Sequence, residues 1–381
     1  MNDSPRFSPK NLDALLLAEL ASSPEEVGTT ATASAIQAVV ADTDGIVFEA
    51  ALGHRNLLTE SRNDVTSSTP VDVASLTKPL VGATLFMQAI DEGRIEWDTP
   101  VGRFLPSGDE NLEPVRRATF LQLLNHSSGL PAWRQFYLEG FPFYPDQAQA
   151  DRTRKTILDT IRKTPLNAPP GTAHEYSDLG YILLAHLLER VFDAPLHELA
   201  NLRIFAPLGM DDTRYVCLAS GDEPIHGAVA TEFCAHRERV VVGTVHDENT
   251  HIVGGVSAHA GVFSTARDLH RFTHHLLTVD AGSTGIVKPE TLRFCWSSKA
   301  ASTSGSHVGG WDRPSGPKSS AGRGFGRDSS VGHLGFSGTS IWIDRAPSIT
   351  AILLTNRVHP SRENERIKKL RIDFHEAILT P

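Results

Sequence analysis

Strand-forming runs stand at both ends of this chain, with mostly helical patterning between them. Residues 35–41 and 46–52 are β-rich, and Asp42-Thr43-Asp44-Gly45 between them is hairpin chemistry. Near the other end, residues 339–343 and 349–354 give the same signal, joined by Asp344-Arg345-Ala346-Pro347-Ser348. The middle reads as helices over 120–124, 152–163, 179–192 and 265–277, the last with Thr265 and Asp268 in capping-box spacing. A further strand is expected at 240–245, and amphipathic helices at 10–22 and 362–379. This pattern implies an α+β fold: one antiparallel β-sheet from both chain ends, flanked by helices, with an inserted mainly helical subdomain. The expected division is 1–95 and 240–381 for the two parts of the α/β subdomain and 96–239 for the helical one. Sites commonly form in the cleft between two such parts.

Ser75-Leu76-Thr77-Lys78 carries the chemistry. A hydroxyl and an amine three positions apart share one face of a helix, close enough to exchange a proton. Acyl transfer needs that pairing of a weak nucleophile with a group that manages its proton. Val81, Leu85, Ala89 and Ile90 form an apolar stripe at helical spacing, and Asp91-Glu92-Gly93 reads as the helix end. Pro79 is tolerated only early in a helix, so the helix should begin close to Ser75 and leave the Ser75 backbone N–H free to face an oxyanion. One conflict stands in the pattern: Lys78 precedes a proline and is biased away from helix. A second match, Ser315-Gly316-Pro317-Lys318, falls in the Gly- and Ser-rich stretch 301–330 and reads as a chance hit in a loop. That stretch is either flexible or lines a site.

Two further motifs follow. Gly171-Thr172-Ala173-His174-Glu175-Tyr176-Ser177-Asp178 precedes an apolar helix, and Ala168-Pro169-Pro170 before it sets Tyr176 on a rigid loop. Gly332-His333-Leu334-Gly335-Phe336-Ser337-Gly338 leads into the penultimate strand, where glycines would let a substrate backbone approach. With these three motifs in order, the chain resembles the serine β-lactamase and penicillin-binding protein superfamily, in particular its class C-like hydrolases, DD-peptidases and esterases. Gly254–Thr265 and the run from His333 to Pro360 share the likeness. The resemblance implies Ser75 as acylated nucleophile, Lys78 as its proton partner and Tyr176 as general base or relay. It also implies an oxyanion hole from the backbone N–H groups of Ser75 and Phe336, and substrate contacts from Asp178, His333 and Gly335.

Two positions depart from the family pattern. Asp178 stands where asparagine is usual and His333 where lysine is usual. An ionised Asp178 near Lys78 would favour the ammonium form, making Lys78 a poor base and lowering the pKa of Tyr176. Tyr176 is therefore expected to take the Ser75 proton. Asp178 has a competing reading, because it or Ser177 could cap the helix that follows. A histidine near its unperturbed pKa of about 6.5 would hold a substrate carboxylate only partly, so binding of penicillin-type anions is expected to be weak and to improve as pH falls.

Composition bounds the rest. Hydrophobic residues make up 40% of the 381 positions and the formal net charge is -9 without a basic block, which argues against nucleic acid as partner. No apolar run is long enough for a membrane span. The polar N-terminus does not read as a signal peptide, and Cys217, Cys234 and Cys295 read as free thiols, so a cytoplasmic location is expected. His246, His251 and His259 lie close in sequence without metal-ligand spacing, so neither metal nor other cofactor is expected. Trp133, Phe136, Tyr137, Phe141, Phe143 and Tyr144 are read as a hydrophobic wall of the acyl pocket rather than a packed loop. The leading expectation is a serine hydrolase of small esters or amides with weak β-lactam turnover. The alternatives are a D-amino-acid peptidase or DD-carboxypeptidase, a true class C-like β-lactamase, and a catalytically silent peptide-binding protein.

Overall fold

A five-stranded antiparallel sheet joins the two ends of the chain. Its order is Gly45–Gly53, Ala35–Asp42, Ile349–Thr355, Thr339–Asp344, Ser330–Gly335. The computed structural model describes residues 9–59, 63–109, 111–301, 305–316 and 319–379. Alternation along the strands divides the sheet between two cores. Ile36, Ala38, Val40, Trp342, Ala351 and Leu353 face the terminal helices Pro9–Ala18 and Ile367–Leu379 through Leu12, Leu16, Leu370 and Phe374. Val39, Ala41, Ile341, Ile343, Ile352 and Leu354 belong to the larger core with Leu269, Phe272 and Leu276 of the helix Ala266–Asp280. Because both faces are covered, the two central C-terminal strands are buried at every position. Each such aliphatic side chain contributes about 1.5–3 kcal/mol by burial.

The helices follow their caps. Thr119 and Gln122 form a capping box that starts Phe120–Leu124. Asp146 and Gln149 do the same for Gln147–Lys163, which therefore begins earlier than its apolar periodicity suggests. Ser177 Oγ accepts the Gly180 N–H and starts Asp178–Phe192, and left-handed Asp193 ends it. Thr265 caps Ala266–Asp280. The strand expected at 240–245 is Arg239–Val242, paired with Ala230–Cys234. Gly332–Gly335 does not merely lead into a strand: it lies within the sheet's own edge strand.

The segment after Ser75 departs from a regular helix. Ala74–Leu76 is a 3₁₀ turn, Lys78–Ala83 is π-helical, and α-helix runs only over Thr84–Asp91. Pro79 lacks the N–H that an α-helix would need there, and Thr84 Oγ1 donates to the Pro79 carbonyl (3.1 Å). The wide turn resolves the conflict at Lys78 and keeps its side chain on the Ser75 face. Among the described residues, no helix is long and apolar enough to cross a membrane.

Candidate active site

Ser75 sits at the exit of a short strand, Val71–Asp72, through a strained turn. Ala74 has φ 48°, a left-handed conformation that alanine rarely adopts. Asp72 holds it there. Its Oδ1 accepts the Ala74 N–H (2.8 Å) and its Oδ2 accepts the His246 N–H (2.7 Å). Ser337 Oγ donates to the Asp72 carbonyl (2.7 Å) and Thr339 Oγ1 to that of Val73 (3.0 Å), tying the turn to the edge hairpin. Gly335 makes this approach possible, because a Cβ there would lie 2.5 Å from the Val73 carbonyl oxygen. Asp72 was not singled out in the sequence. Its place just before the nucleophile was the available signal, but its second partner lies far along the chain.

The structure brings Ser75, Lys78, Tyr176 and Asp178 together. Lys78 Nζ donates to Ser75 Oγ (2.9 Å) and to the His259 carbonyl (3.1 Å), and pairs with Asp178 Oδ1 at 2.7 Å. It also lies 4.9 Å from the centre of the Tyr176 ring. The Tyr176 hydroxyl is near enough to Ser75 and Lys78 for both to favour its ionised form, while the residue is 38% exposed. Capping falls to Ser177, which frees the Asp178 carboxylate for Lys78. Burial disfavours the charge on Lys78, but Asp178 and the phenol outweigh it and hold the amine above its usual pKa. Burial raises Tyr176 as well. Lys78 opposes that rise without cancelling it, which corrects the expected lowering of this phenol.

The cavity over these groups holds about 500 Å³ and is lined by Ser75, Tyr176, Asp178, Gly335 and Phe336 among others. Half-exposed Trp133 and Phe336 give it apolar walls. The rest of the aromatic stretch packs elsewhere: Phe136 and Tyr137 are buried in the main core, and Phe141 and Phe143 lie against it. The stretch is therefore mainly a packed loop, contrary to expectation. Of the second serine–lysine match, Ser315 and Gly316 line a different pocket, and Pro317 and Lys318 lie outside the described residues.

His333 does not play the expected ionic part. It is 2% exposed, and burial and the nearby Lys78 charge push its pKa down to about 3, so the ring is neutral. Its Nδ1 donates to the Leu334 carbonyl (2.9 Å). Its neighbours are His126 and His307, also buried, with ring nitrogens of all three within 4.8 Å of one another. The trio does not match a three-histidine metal centre. The Ser177 N–H donates to His126 Nδ1 (3.0 Å), so the neutral ring carries its proton on Nε2 and has no lone pair left to offer. Of the other cluster, His259 bonds Asp247 (2.9 Å) and Ser257 (2.8 Å), and His246 lies 3.3 Å from Glu232; both line the cavity.

A serine–lysine–tyrosine site with its lysine enclosed, in a cleft beside an antiparallel edge strand, defines a serine hydrolase of the acyl-transferring type. The β-lactamase family pattern matches residues 25–375, and the chain belongs to that family. It is 30% identical to a protein of Escherichia coli (strain K12) described as "Putative D-alanyl-D-alanine carboxypeptidase", over 80% of this chain and 73% of that one. Among solved structures, it is similar in fold to the octameric penicillin-binding protein homologue from Pyrococcus abyssi (TM-score 0.68, 21% identity, 91% of this chain and 73% of that one). It is also similar to EstCE1, a hydrolase with promiscuous acyltransferase activity (TM-score 0.68, 18% identity, 97% and 99%).

Proposed function

We propose that this protein hydrolyses small esters or amides through an acyl-enzyme on Ser75, with weak β-lactam turnover as a side reaction. The observation that carries this reading is the 2.9 Å contact between Lys78 Nζ and Ser75 Oγ at the base of a partly apolar cavity. At neutral pH the pair enters as ammonium Lys78 and neutral Tyr176, so it must lose one proton before Ser75 can give up its own. Asp178 stabilises the ammonium, so that proton leaves Tyr176. The phenolate then accepts the Ser75 proton as Oγ bonds to the substrate carbonyl carbon. The carbonyl electron pair moves to oxygen, facing the N–H groups of Ser75 and Phe336. Collapse breaks the bond to the leaving group, which takes the proton from Tyr176. Water repeats the sequence on the acyl-enzyme and restores Ser75.

A second reading, cleavage of peptides ending in D-amino acids, is favoured by the likeness to the Escherichia coli relative described as a putative D-alanyl-D-alanine carboxypeptidase. A cytoplasmic location is supported by three buried free cysteines. The test is hydrolysis of a chromogenic ester, a cephalosporin and an acyl-D-alanyl-D-alanine by wild type and Ser75→Ala. Ester turnover abolished in Ser75→Ala supports the reading. Identical traces from the two proteins would instead support a silent peptide-binding role.

A further inference from the structure

The peptide between Gly335 and Phe336 carries the second N–H that faces the oxyanion in the acyl-transfer sequence. It is trans, so its carbonyl and its N–H point in opposite directions within one plane. The Gly335 carbonyl accepts the Gly338 N–H (3.1 Å), which closes the turn of the edge hairpin. The Phe336 N–H therefore points away from that turn, and among the described residues no acceptor takes it. Gly335 and Phe336 both line the cavity.

A guanidinium stands behind this peptide. Arg371, from the helix Ile367–Leu379, is 8% exposed, and among the described residues no carboxylate pairs with it. Its Nη2 donates to the carbonyls of Gly335 (2.6 Å) and Thr339 (2.7 Å), the last facing pair of the hairpin, while its Nε has no hydrogen-bond partner. A buried cation without a counter-ion is unfavourable, and a turn that Gly338 already closes does not require one. A charge-assisted bond to a carbonyl does something more: it draws electron density through the amide and makes its N–H a stronger donor. Arg357 holds the other side of Phe336. Its Nε donates to the Phe336 carbonyl (2.9 Å), and its guanidinium lies 4.4 Å from the centre of that ring.

We propose that Arg371 is a positioning residue of the oxyanion hole: its charge, delivered to the Gly335 carbonyl, orients and polarises the peptide whose Phe336 N–H meets the negative oxygen. This deepens the acyl-enzyme reading and rests on it. Such a charge matters little while the substrate carbonyl is neutral and most as its oxygen becomes negative, so it acts on kcat rather than on binding of the ground state.

The test measures hydrolysis of 4-nitrophenyl butyrate, and its inhibition by phenylboronic acid, in wild type, Arg371→Gln and Arg371→Lys. The boron takes up a lone pair of Ser75 Oγ, the serine proton leaves to solvent, and the anionic adduct carries an oxygen where the oxyanion would stand. Removing an oxyanion donor outright costs about 10²- to 10³-fold; Arg371→Gln keeps the donor and takes away only the charge behind it, so kcat should fall about tenfold, boronate affinity should weaken by a similar factor, and KM should change by less than about twofold. Arg371→Lys keeps a charge there and should lie between. A merely structural role would lower the amount of active protein, and with it kcat, but not KM or the boronate Ki of the molecules that remain. An unchanged Ki in Arg371→Gln, or a lysine variant no better than the glutamine one, would overturn the proposal. If Arg371→Gln does not fold, Arg371→Lys decides on the same quantities, with a wild-type Ki as the contrary result. Absence of ester hydrolysis in the wild type would instead remove the hydrolase reading itself.

Discussion

Lys78 and Asp178 form an ion pair of 2.7 Å in which the lysine is wholly enclosed. The carboxylate stands where the family pattern has a neutral amide, and it sets the protonation state of the site. With Asp178 present, charge stays on the amine and burial keeps the phenol protonated.

The first consequence is an alkaline rate profile. Both Lys78 and Tyr176 are raised above their usual values, so the form lacking one proton is scarce at neutrality. For a neutral ester, kcat/KM should rise with pH by about tenfold per unit until it levels above pH ~10. In Asp178→Asn, Lys78 loses its anion and Tyr176 loses a like charge, so the pair gives up its proton more readily. The rising limb should move to lower pH, as read from initial rates corrected for spontaneous hydrolysis. A limb that stays put or moves upward would contradict the assigned role of the carboxylate.

Tyr176→Phe removes the group proposed to accept the Ser75 proton while leaving the ring in place. Stopped-flow acylation should slow by about 10²- to 10⁴-fold, the usual contribution of a general base. Near-normal acylation in this variant would assign the proton to Lys78 instead.

His333 should not tune anion binding across the physiological range. With its pKa pushed to about 3, it stays neutral above pH ~5. The affinity for a carboxylate ligand should therefore be the same in wild type and His333→Gln, relative to each protein's pH 8 value, down to pH ~5.5. A tightening toward acid pH that vanishes in His333→Gln would restore the ionic role.

Acid should unfold the protein early. Burial lowers His333 and His251 to about 3 and His375 to about 4, all below the unfolded value of about 6.5. Between those limits the unfolded chain binds protons that the folded chain refuses, so stability falls as pH falls and is complete only above pH ~6.5. Each such histidine contributes about 1.4 kcal/mol of loss per pH unit. These three alone should separate the urea midpoints at pH 7.5 and 5.5 by about 4 kcal/mol when converted to free energy, and His126, His186 and His307, lowered in the same sense, add to it. Equal midpoints would show that these imidazoles are protonated in the fold.

What the sequence made legible is what depends on short spacing. The Ser75–Lys78 pair is three residues apart, the strand runs are short continuous β-rich stretches, and Tyr176 sits on a proline-set loop; all three are placed by their neighbours along the chain. The sheet from both termini followed because its strands are apolar at nearly every position. Long-range contacts were not legible. Asp72 is held by His246, and Gly335 by Arg371, through bonds that no local pattern encodes. Arg371 read as one more charge on an amphipathic helix, and His333 as a half-ionised contact, because burial is a property of the assembled fold. The aromatic stretch misled for the same reason: its composition suits a pocket wall and a packed loop equally.

The most direct measurement is intact-mass spectrometry after exposure to a fluorophosphonate, followed by peptide mapping. Wild type should gain a single adduct on the peptide containing Ser75, and Ser75→Ala should gain none. An unlabelled wild type, or an adduct that persists in Ser75→Ala, would contradict Ser75 as the acylated nucleophile.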